Sequence, residues 1–300
     1  MKTKSLSFKV VDILYIALMV LPLVAGMVLK ILTKGPSSGI ELSGALIYFT
    51  IPLPLQDLPI TESQINSLLV ILSIWGLCLY MTHGIAAKGG TRRQVIAEWA
   101  VEKCEDLVGS NMGSYFKAFP PFIAGILVLS AFSSLITLVG LYPPTSDINI
   151  VGGWAILIFI LITYYKCKCG PVHYLKSFAD PVLLTPLNVI GEIATPISMA
   201  FRHYGNILSG TVISVLIAAA LQGLSSLLLG WLPGVLGDIP FLQIGVPAVL
   251  SLYFDIFSGG LQAFIFAMLS MMYIAGGFPQ EDFEKRKALK NKQKTKTVQQ

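Results

Sequence analysis

The chain alternates between long apolar runs and short polar segments. Six of the runs approach or exceed the length of a membrane-spanning helix, which needs about 20 mostly apolar residues. They cover approximately residues 10–32, 65–85, 119–141, 150–165, 193–232 and 240–277. The pattern therefore predicts an all-α polytopic membrane protein with about six membrane helices.

The first run, from Val10 to Leu32, follows three lysines and has two interpretations. A basic start and an apolar middle are typical of a signal peptide. The run is longer than the apolar core of about 7–15 residues in such a peptide, and its sequence LPLVAGM is a poor cleavage site. A retained span is therefore favoured, with a cleaved leader as the alternative. We predict an additional N-terminal span and extracytoplasmic segment over residues 1–64, and the main domain over 65–300.

Basic residues between the runs predict which loops face the cytoplasm, since lysine and arginine are enriched on that side. They occur near residues 88–93, near residues 166–176 and throughout the tail, residues 278–300. Residues 34–64 then fall on the outer side, where several prolines exclude a regular helix. The alternation predicts a cytoplasmic C-terminus.

Residues 94–108, QVIAEWAVEKCEDLV, differ from the apolar runs because they interleave apolar and charged positions. This pattern predicts an amphipathic helix that lies on the membrane surface. A soluble helix that binds a partner is the alternative.

The last two apolar runs are too long to stand upright in a bilayer. A helix of about 38 residues extends about 57 Å, whereas the hydrocarbon core is about 30 Å thick. We therefore predict a long, strongly tilted helical hairpin over approximately residues 193–277.

Composition supports the membrane class, because 54% of the residues are hydrophobic and 12% are charged, against about 25% charged residues in soluble domains. Much of the net charge of +5 lies in the tail EKRKALKNKQKTKTVQQ. Such a tail can bind nucleic acid, but beside a membrane span it is better interpreted as a cytoplasmic anchor at the lipid surface. The four cysteines show neither disulfide nor metal-site spacing, and no nucleotide-binding loop occurs. We predict no nucleic-acid partner, cofactor, metal or catalysis by this chain alone.

Polar residues in the last two runs form two stripes. Arg202 stands near the start of the first, followed at helical spacing by Asn206 and Ser209. Snorkelling explains an arginine near a helix end, but a charge at depth usually faces an aqueous cavity or a partner. Spacings of four, three and four give the second stripe, which contains Ser251, Asp255, Ser258 and Gln262. A hairpin would join the stripes, so the pattern predicts a hydrated ion path beside a fixed cation.

Three segments resemble the signatures of one family, in that family's order. They are NMGSYFKAFPPFIAGILVLSAFSSLITLVGLYPPTSDIN, YLKSFADPVLLTPLNVIGEIATPISMAFRHYGNILSG and FSGGLQAFIFAMLSMMYI. The family is subunit a of bacterial F-type ATP synthases, and the resemblance covers most of the chain except residues 1–60. It implies the stator subunit of the membrane motor in the bacterial cell membrane, with a c-subunit ring and b-type peripheral stalk subunits as partners in the ATP synthase complex.

The resemblance also implies functional residues. Arg202 matches the arginine that separates two aqueous half-channels, through which H⁺ or Na⁺ reaches and leaves the ring carboxylates. Asn206 matches the asparagine of the family's GN step, and Gln262 matches the glutamine that faces the arginine. Glu192 matches a half-channel carboxylate, and Asp147 matches the acidic residue of a turn through which ions would gain access.

Three positions depart from the family's pattern. Thr211 stands where the family often has Glu or His, and Asp255 where it often has His or Glu. A titratable pair across the hairpin is thus reduced to one carboxylate and one hydroxyl. His203 replaces an apolar residue, and a helix-surface side chain is its main interpretation. Candidates for the channel lining are Thr211, Ser209, Ser251, Ser258 and His203.

Two other functions agree with parts of the pattern. A stand-alone secondary transporter could bind an anionic substrate with Arg202, but such proteins usually consist of two repeated halves, and the sequence has no evident repeat. A non-transporting scaffold would not need Arg202, Asp255 and Gln262 together. We therefore predict an ion-translocating stator subunit, with the ion left as H⁺ or Na⁺ because the ring's own site selects it.

Overall fold

The computed structural model of the chain describes residues 6–33, 44–52, 54, 56–86, 90–178, 182–229, 241–243, 245–280 and 283. Several parts of the sequence predictions lie outside these residues. They include residues 34–43 of the segment placed on the outer side, the basic position 88, the turn between the last two apolar runs, and most of the basic tail.

The described chain is almost entirely helical. Its α-helices are α1 (Leu6–Thr33), α2 (Glu62–Thr82), α3 (Arg92–Met112), α4 (Pro120–Leu135), α5 (Ile148–Lys166), α6 (Pro171–Phe178), α7 (Thr185–Leu229), α8 (Val246–Ser251) and α9 (Gly259–Gly276). Among the described residues, six helical stretches are long and apolar enough to cross a membrane. They lie in α1, α2, α4 with its 3₁₀ extension, α5, α7 and Ala248–Gly276. The prediction of an all-α polytopic membrane protein is confirmed.

A short antiparallel hairpin precedes α2, and the hydrophobic pattern did not predict it. Strand β1 (Ile47–Ile51) pairs with β2 (Leu58–Thr61), and Thr50 lies opposite Pro59. The prolines here exclude a helix, but a strand at the edge of a sheet tolerates proline. Where the backbone nitrogen points away from the partner strand, the missing N–H removes no hydrogen bond between the strands. Strand β2 leads directly into α2, so the hairpin fixes where Glu62 begins that helix.

The sequence had suggested an uninterrupted α-helix for the last apolar run, and the structure differs. Residues Leu252–Ser258 form a π-helical segment between α8 and α9. Each backbone hydrogen bond of a π-helix spans five residues instead of four, so the wider turn changes which side chains share a face. Helix α7, by contrast, continues over 45 residues although Pro196 lies inside it.

The core lies among α3, α4, α5, α7 and α9. Its fully buried side chains include Ile123 of α4, Ile158 of α5 and Phe266 of α9. Helices in lipid gain little from burying apolar surface against one another, so close packing through small residues matters more. A Cβ at Gly259 would lie 2.7 Å from the Cβ of Ser134, so glycine is required where α9 meets α4.

Helix α1 packs antiparallel against α2. A Cβ at Gly76 would lie 2.7 Å from the backbone nitrogen of Met19, so the two backbones are in contact at this point. Nearer the start of α1, Asp12 forms an ion pair with Arg93 of α3, with an Nη1–Oδ1 distance of 2.9 Å. The N-terminal helix is therefore joined to both α2 and α3.

Helix α3 carries exposed apolar side chains in its first half and buried ones near its end. Val95, Trp99 and Val101 are more than half exposed, at 59%, 59% and 57%. Val108 and Met112 are buried in the core. The exposed apolar side chains agree with a helix on a membrane surface, and that location stays a prediction.

Candidate functional site

Helix α5 defines two ends of the helix bundle. Asp147 precedes its first turn and Lys166 is its last residue. The 19 residues of the helix extend about 28 Å at a rise of about 1.5 Å per residue. We refer to these as the Asp147 end and the Lys166 end.

A cavity of about 220 Å³ lies between α7 and the π-helical segment, towards the Asp147 end. We call it the Asn206 cavity. Its polar lining consists of Thr137, Asn206, Thr211, Ser214, Ser251 and Asp255. The structure thus brings residues from both predicted polar stripes together around one space, and it includes the Thr211 and Asp255 positions at which this chain departs from the family's pattern.

Hydrogen bonds order this cavity. The Asn206 side chain donates to the Ser258 hydroxyl at 2.8 Å, which joins α7 to the end of the π-helical segment. Ser251 donates to the Asp255 carboxylate. The Thr211 hydroxyl donates back to the carbonyl of Ile207 at 3.1 Å. Asp255 is therefore the carboxylate of the cavity, and hydroxyl groups surround it.

Two serines of the predicted polar stripes, Ser209 and Ser258, lie outside the lining of the Asn206 cavity. Ser209 is exposed and its hydroxyl donates to the Asn206 carbonyl at 3.1 Å. Ser258 does not line the cavity but holds Asn206 by the bond just described. The predicted polar stripe of α7 therefore divides, with Asn206 facing the cavity and Ser209 facing outward.

A second cavity of about 180 Å³ lies at the Lys166 end, between α5, α7 and α9, and we call it the Glu192 cavity. The Lys166 ammonium group donates to both carboxylate oxygens of Glu192, at 2.8 and 2.6 Å. Tyr174 of α6 donates to the same carboxylate at 3.1 Å. Burial, together with this carboxylate, raises the pKa of Tyr174 to about 12, so the phenol stays a proton donor. Sequence reasoning treated Lys166 only as a marker of topology and missed Tyr174.

Arg202 lies on α7 between the two cavities. It is exposed, and its guanidinium makes no hydrogen bond or ion pair with any part of the chain that the structure describes. Along the helix axis it is about 15 Å from Glu192 and about 14 Å from Thr211, from a rise of about 1.5 Å per residue. A permanent positive charge thus separates two polar cavities on one continuous helix.

Gln262 and His203 do not join Arg202. Gln262 is 6% exposed on α9, and no hydrogen bond links it to the arginine in the described chain. His203 is fully buried, with its Nε2 3.3 Å from the Ser130 hydroxyl and its ring 5.4 Å from that of Phe266. The structure therefore places His203 in the core, outside the linings of both cavities, rather than on the helix surface.

Asp147 caps the start of α5. One carboxylate oxygen accepts from the backbone N–H of Asn149 at 2.9 Å, and the other accepts from the Ser63 hydroxyl. Next to it lies a partly buried ion pair that sequence reasoning missed, between Lys30 and Glu62. The available signal was a glutamate just before one apolar run and a lysine near the end of the run before it.

Together these features define a polytopic helical membrane protein in which an arginine stands between two polar cavities. The family model described as "ATP synthase A chain" matches residues 64–275. ATP synthase subunit a of Legionella pneumophila (strain Paris) is 27% identical over 223 residues, which cover 73% of this chain and 87% of that protein. ATP synthase subunit a of Bacillus pumilus (strain SAFR-032) is 31% identical over 215 residues, covering 66% and 84%. "ATP synthase subunit a, sodium ion specific" of Propionigenium modestum is 26% identical over 272 residues, covering 80% and 87%.

The family match covers more than half of the chain, so this protein belongs to the ATP synthase A chain family. It is a non-catalytic, multi-pass membrane subunit of the Fo sector of ATP synthase.

Proposed function

We propose that this chain is the stator subunit that passes H⁺ or Na⁺ to and from the carboxylates of a c-subunit ring through two aqueous half-channels. The Asn206 cavity belongs to one half-channel and the Glu192 cavity to the other. Arg202 separates them. An ion enters one half-channel, neutralises a ring carboxylate, travels with the rotating ring and leaves through the other.

The order of groups along α7 carries this proposal. Glu192, Arg202 and Thr211 follow one another on a single helix, with a cavity near the first and the last. Arg202 is exposed and has no counter-ion in the described chain, and a lone charge on a membrane helix requires a partner or water. The carboxylate of a passing ring subunit has the chemistry of that partner.

The chemistry favours arginine over lysine at this position. A guanidinium keeps its charge in a low dielectric, whereas a lysine ammonium loses its proton more readily when buried. Its planar fork binds a carboxylate through two hydrogen bonds. A carboxylate beside this fixed charge releases its ion more easily, because the opposite charge stabilises the ionised form. Arg202 would therefore both promote ion release and block a direct leak between the half-channels.

Asp255 and Thr211 provide the polar lining on one side of this barrier. Asp255 accepts from Ser251 while Thr211 faces the same cavity. On the other side, Glu192 is held by Lys166 and Tyr174. The lining of each cavity then has one carboxylate, and hydroxyl or amide groups supply the remaining hydrogen bonds to water.

The same proposal fixes partners and orientation. A c-subunit ring faces Arg202, b-type stalk subunits hold the chain static, and both belong to the ATP synthase complex. The C-terminus is cytoplasmic, in agreement with the basic tail. One relative is described as sodium ion specific, so the ion for this chain is H⁺ or Na⁺.

Arg202→Ala tests the function in the whole complex, reconstituted or in inverted membrane vesicles. ATP-driven ion pumping should be abolished while ATP hydrolysis by the catalytic head continues, because ring carboxylates no longer meet a fixed charge. Lys103→Ala, which removes an exposed charge on α3, is the matched control and should pump normally. Retained ATP-driven pumping in the Arg202→Ala complex would refute the proposal.

A further inference from the structure

The N-terminal helix contributes a charged group to the interior of the protein. Lys30, in the last turn of α1, lies 3.2 Å from a carboxylate oxygen of Glu62 at the start of α2. The Glu62 side chain is 3% exposed and that of Lys30 is 26% exposed. Both residues lie outside residues 64–275, which the family model matches.

The two residues of this ion pair also hold the segment that connects α4 to α5. Lys30 also donates to the carbonyl of Gly140 at 2.8 Å, and Glu62 accepts from the backbone N–H of Tyr142 at 3.3 Å. Asn66 donates to the carbonyl of Tyr142 at 2.9 Å. Residues 140–147, which we call the 140–147 loop, are thus fixed to α1 and α2 by several polar contacts.

The 140–147 loop is next to the Asn206 cavity. Thr137, three residues before Gly140, lines that cavity. Within the loop, the 3₁₀ turn Pro144–Ser146 packs directly against α7, the helix that carries Arg202. A displacement of the loop would therefore reach the wall of the cavity through a short stretch of chain.

Helix α1 contacts the rest of the chain near both of its ends and at its middle. Its backbone touches α2 at Gly76, and Asp12 pairs with Arg93 near its other end. A buried carboxylate without its counter-charge is strongly destabilising. Loss of α1 would leave Glu62 in that condition, so the packing and the electrostatics both require the helix to stay.

We infer that α1 is a permanent part of the ion path, in which Lys30 supplies the counter-charge for Glu62 and fixes the 140–147 loop at the mouth of the half-channel nearest Asp147. Lys30 is a positioning residue and does not bind the translocated ion. The inference rests on the half-channels proposed above. It also predicts that the first apolar run is retained as a span, with a cleaved leader as the alternative that the mass measurement below tests.

The first measurement is the mass of the mature subunit in the assembled complex, which should include α1. The second is passive ion conduction through vesicles after removal of the catalytic head, per amount of assembled complex. Lys30→Met should reduce conduction about tenfold, because it removes the hydrogen bond that holds the Gly140 carbonyl and leaves Glu62 without its counter-charge. Lys30→Arg, which keeps the charge, should restore it to within about twofold.

Asp12→Asn is the matched control, since it breaks the ion pair at the opposite end of α1. It should conduct within about twofold of the unmodified protein, from the local reach of such contacts. If Lys30→Met does not assemble, Lys30→Met/Glu62→Gln replaces it, because that protein has no unpaired buried charge. It still lacks the Lys30–Gly140 hydrogen bond that holds the loop, so it should show the same reduction.

The inference is overturned if α1 is absent from the mature subunit, or if the Lys30→Met protein, or its double-variant replacement, conducts normally. It is also overturned if Asp12→Asn loses as much conduction as Lys30→Met, since α1 would then act only as a general anchor. Arg202→Ala measured in parallel separates the two proposals. Lost pumping in Arg202→Ala with normal conduction in Lys30→Met refutes only the role of Lys30.

Discussion

Gly210→Ala should impair ion conduction, because Gly210 is where α7 touches the π-helical segment. A Cβ at this position would lie 2.8 Å from Cδ1, 3.1 Å from Cγ and 3.3 Å from Cβ of Phe254. Carbon atoms in contact prefer about 3.5 Å or more, so the nearest approach is about 0.7 Å too short. Because Cβ and Cγ are also crowded, rotation of the Phe254 ring alone cannot relieve the contact, and the helices must separate.

Overpacking of this kind costs about 1–3 kcal/mol, and alanine recovers up to about 1 kcal/mol through its higher helix propensity than glycine. The net effect on stability is about 1 kcal/mol. The local effect is larger, because the Asn206–Ser258 hydrogen bond of 2.8 Å crosses the same contact. A separation of about 0.7 Å would lengthen it to about 3.5 Å, where it no longer counts as a hydrogen bond. We expect conduction to fall about five- to tenfold, the ratio for 1 to 1.4 kcal/mol.

The assay is passive ion conduction of vesicles that carry the assembled complex without its catalytic head. Gly223→Ala is the matched control, since it lies on the same helix and a Cβ there would meet nothing within 4 Å. Gly210→Val should lose more conduction than Gly210→Ala. Normal conduction in Gly210→Ala, or an equal loss in Gly223→Ala, would show that the contact with Phe254 does not set the cavity's shape.

Two further predictions concern stability. Lys166→Met should lower the temperature at which the purified complex dissociates, and it should lower it more than Lys166→Met/Glu192→Gln does. Only the single variant leaves the Glu192 side chain, which is 16% exposed, without its cation. Removing one partner of a buried pair costs about 3–5 kcal/mol at full burial. Equal shifts would contradict this. His203→Leu/Ser130→Ala should assemble and pump within about twofold of normal, since replacing both partners of a buried hydrogen bond by apolar groups is nearly neutral, whereas His203→Ala should lose about 2–5 kcal/mol through the cavity it leaves. An assembled His203→Leu/Ser130→Ala complex that does not pump would show a functional role for the imidazole.

The hydrophobic pattern predicted the membrane helices well, because run length alone decides whether a segment can span a bilayer. It could not predict the π-helical segment. No proline or charge run separates Leu252 from Ser258, and Asp255 sits within apolar neighbours as it would in a regular helix. The segment packs against α7 and α4, and contacts between distant parts of the chain cannot be deduced from sequence periodicity.

Ion pairs between distant segments could not be predicted from the sequence either. Lys30 and Glu62 each stand at the end of an apolar run, where snorkelling to the interface explains a charge without any partner. Their pairing follows only from the antiparallel contact of α1 and α2. Likewise, nothing in the spacing of residues 202 and 203 separated an exposed arginine from a fully buried histidine. The interaction of Gln262 with Arg202 stays a prediction.

The unbroken course of α7 has a consequence for how the motor can work. Glu192 and Thr211 are about 28 Å apart on this helix, set by a rise of about 1.5 Å per residue. A continuous helix cannot shorten that distance, so α7 acts as a rigid spacer between the two cavities. In the proposed function, the ion would cover this separation on a ring carboxylate and not along α7.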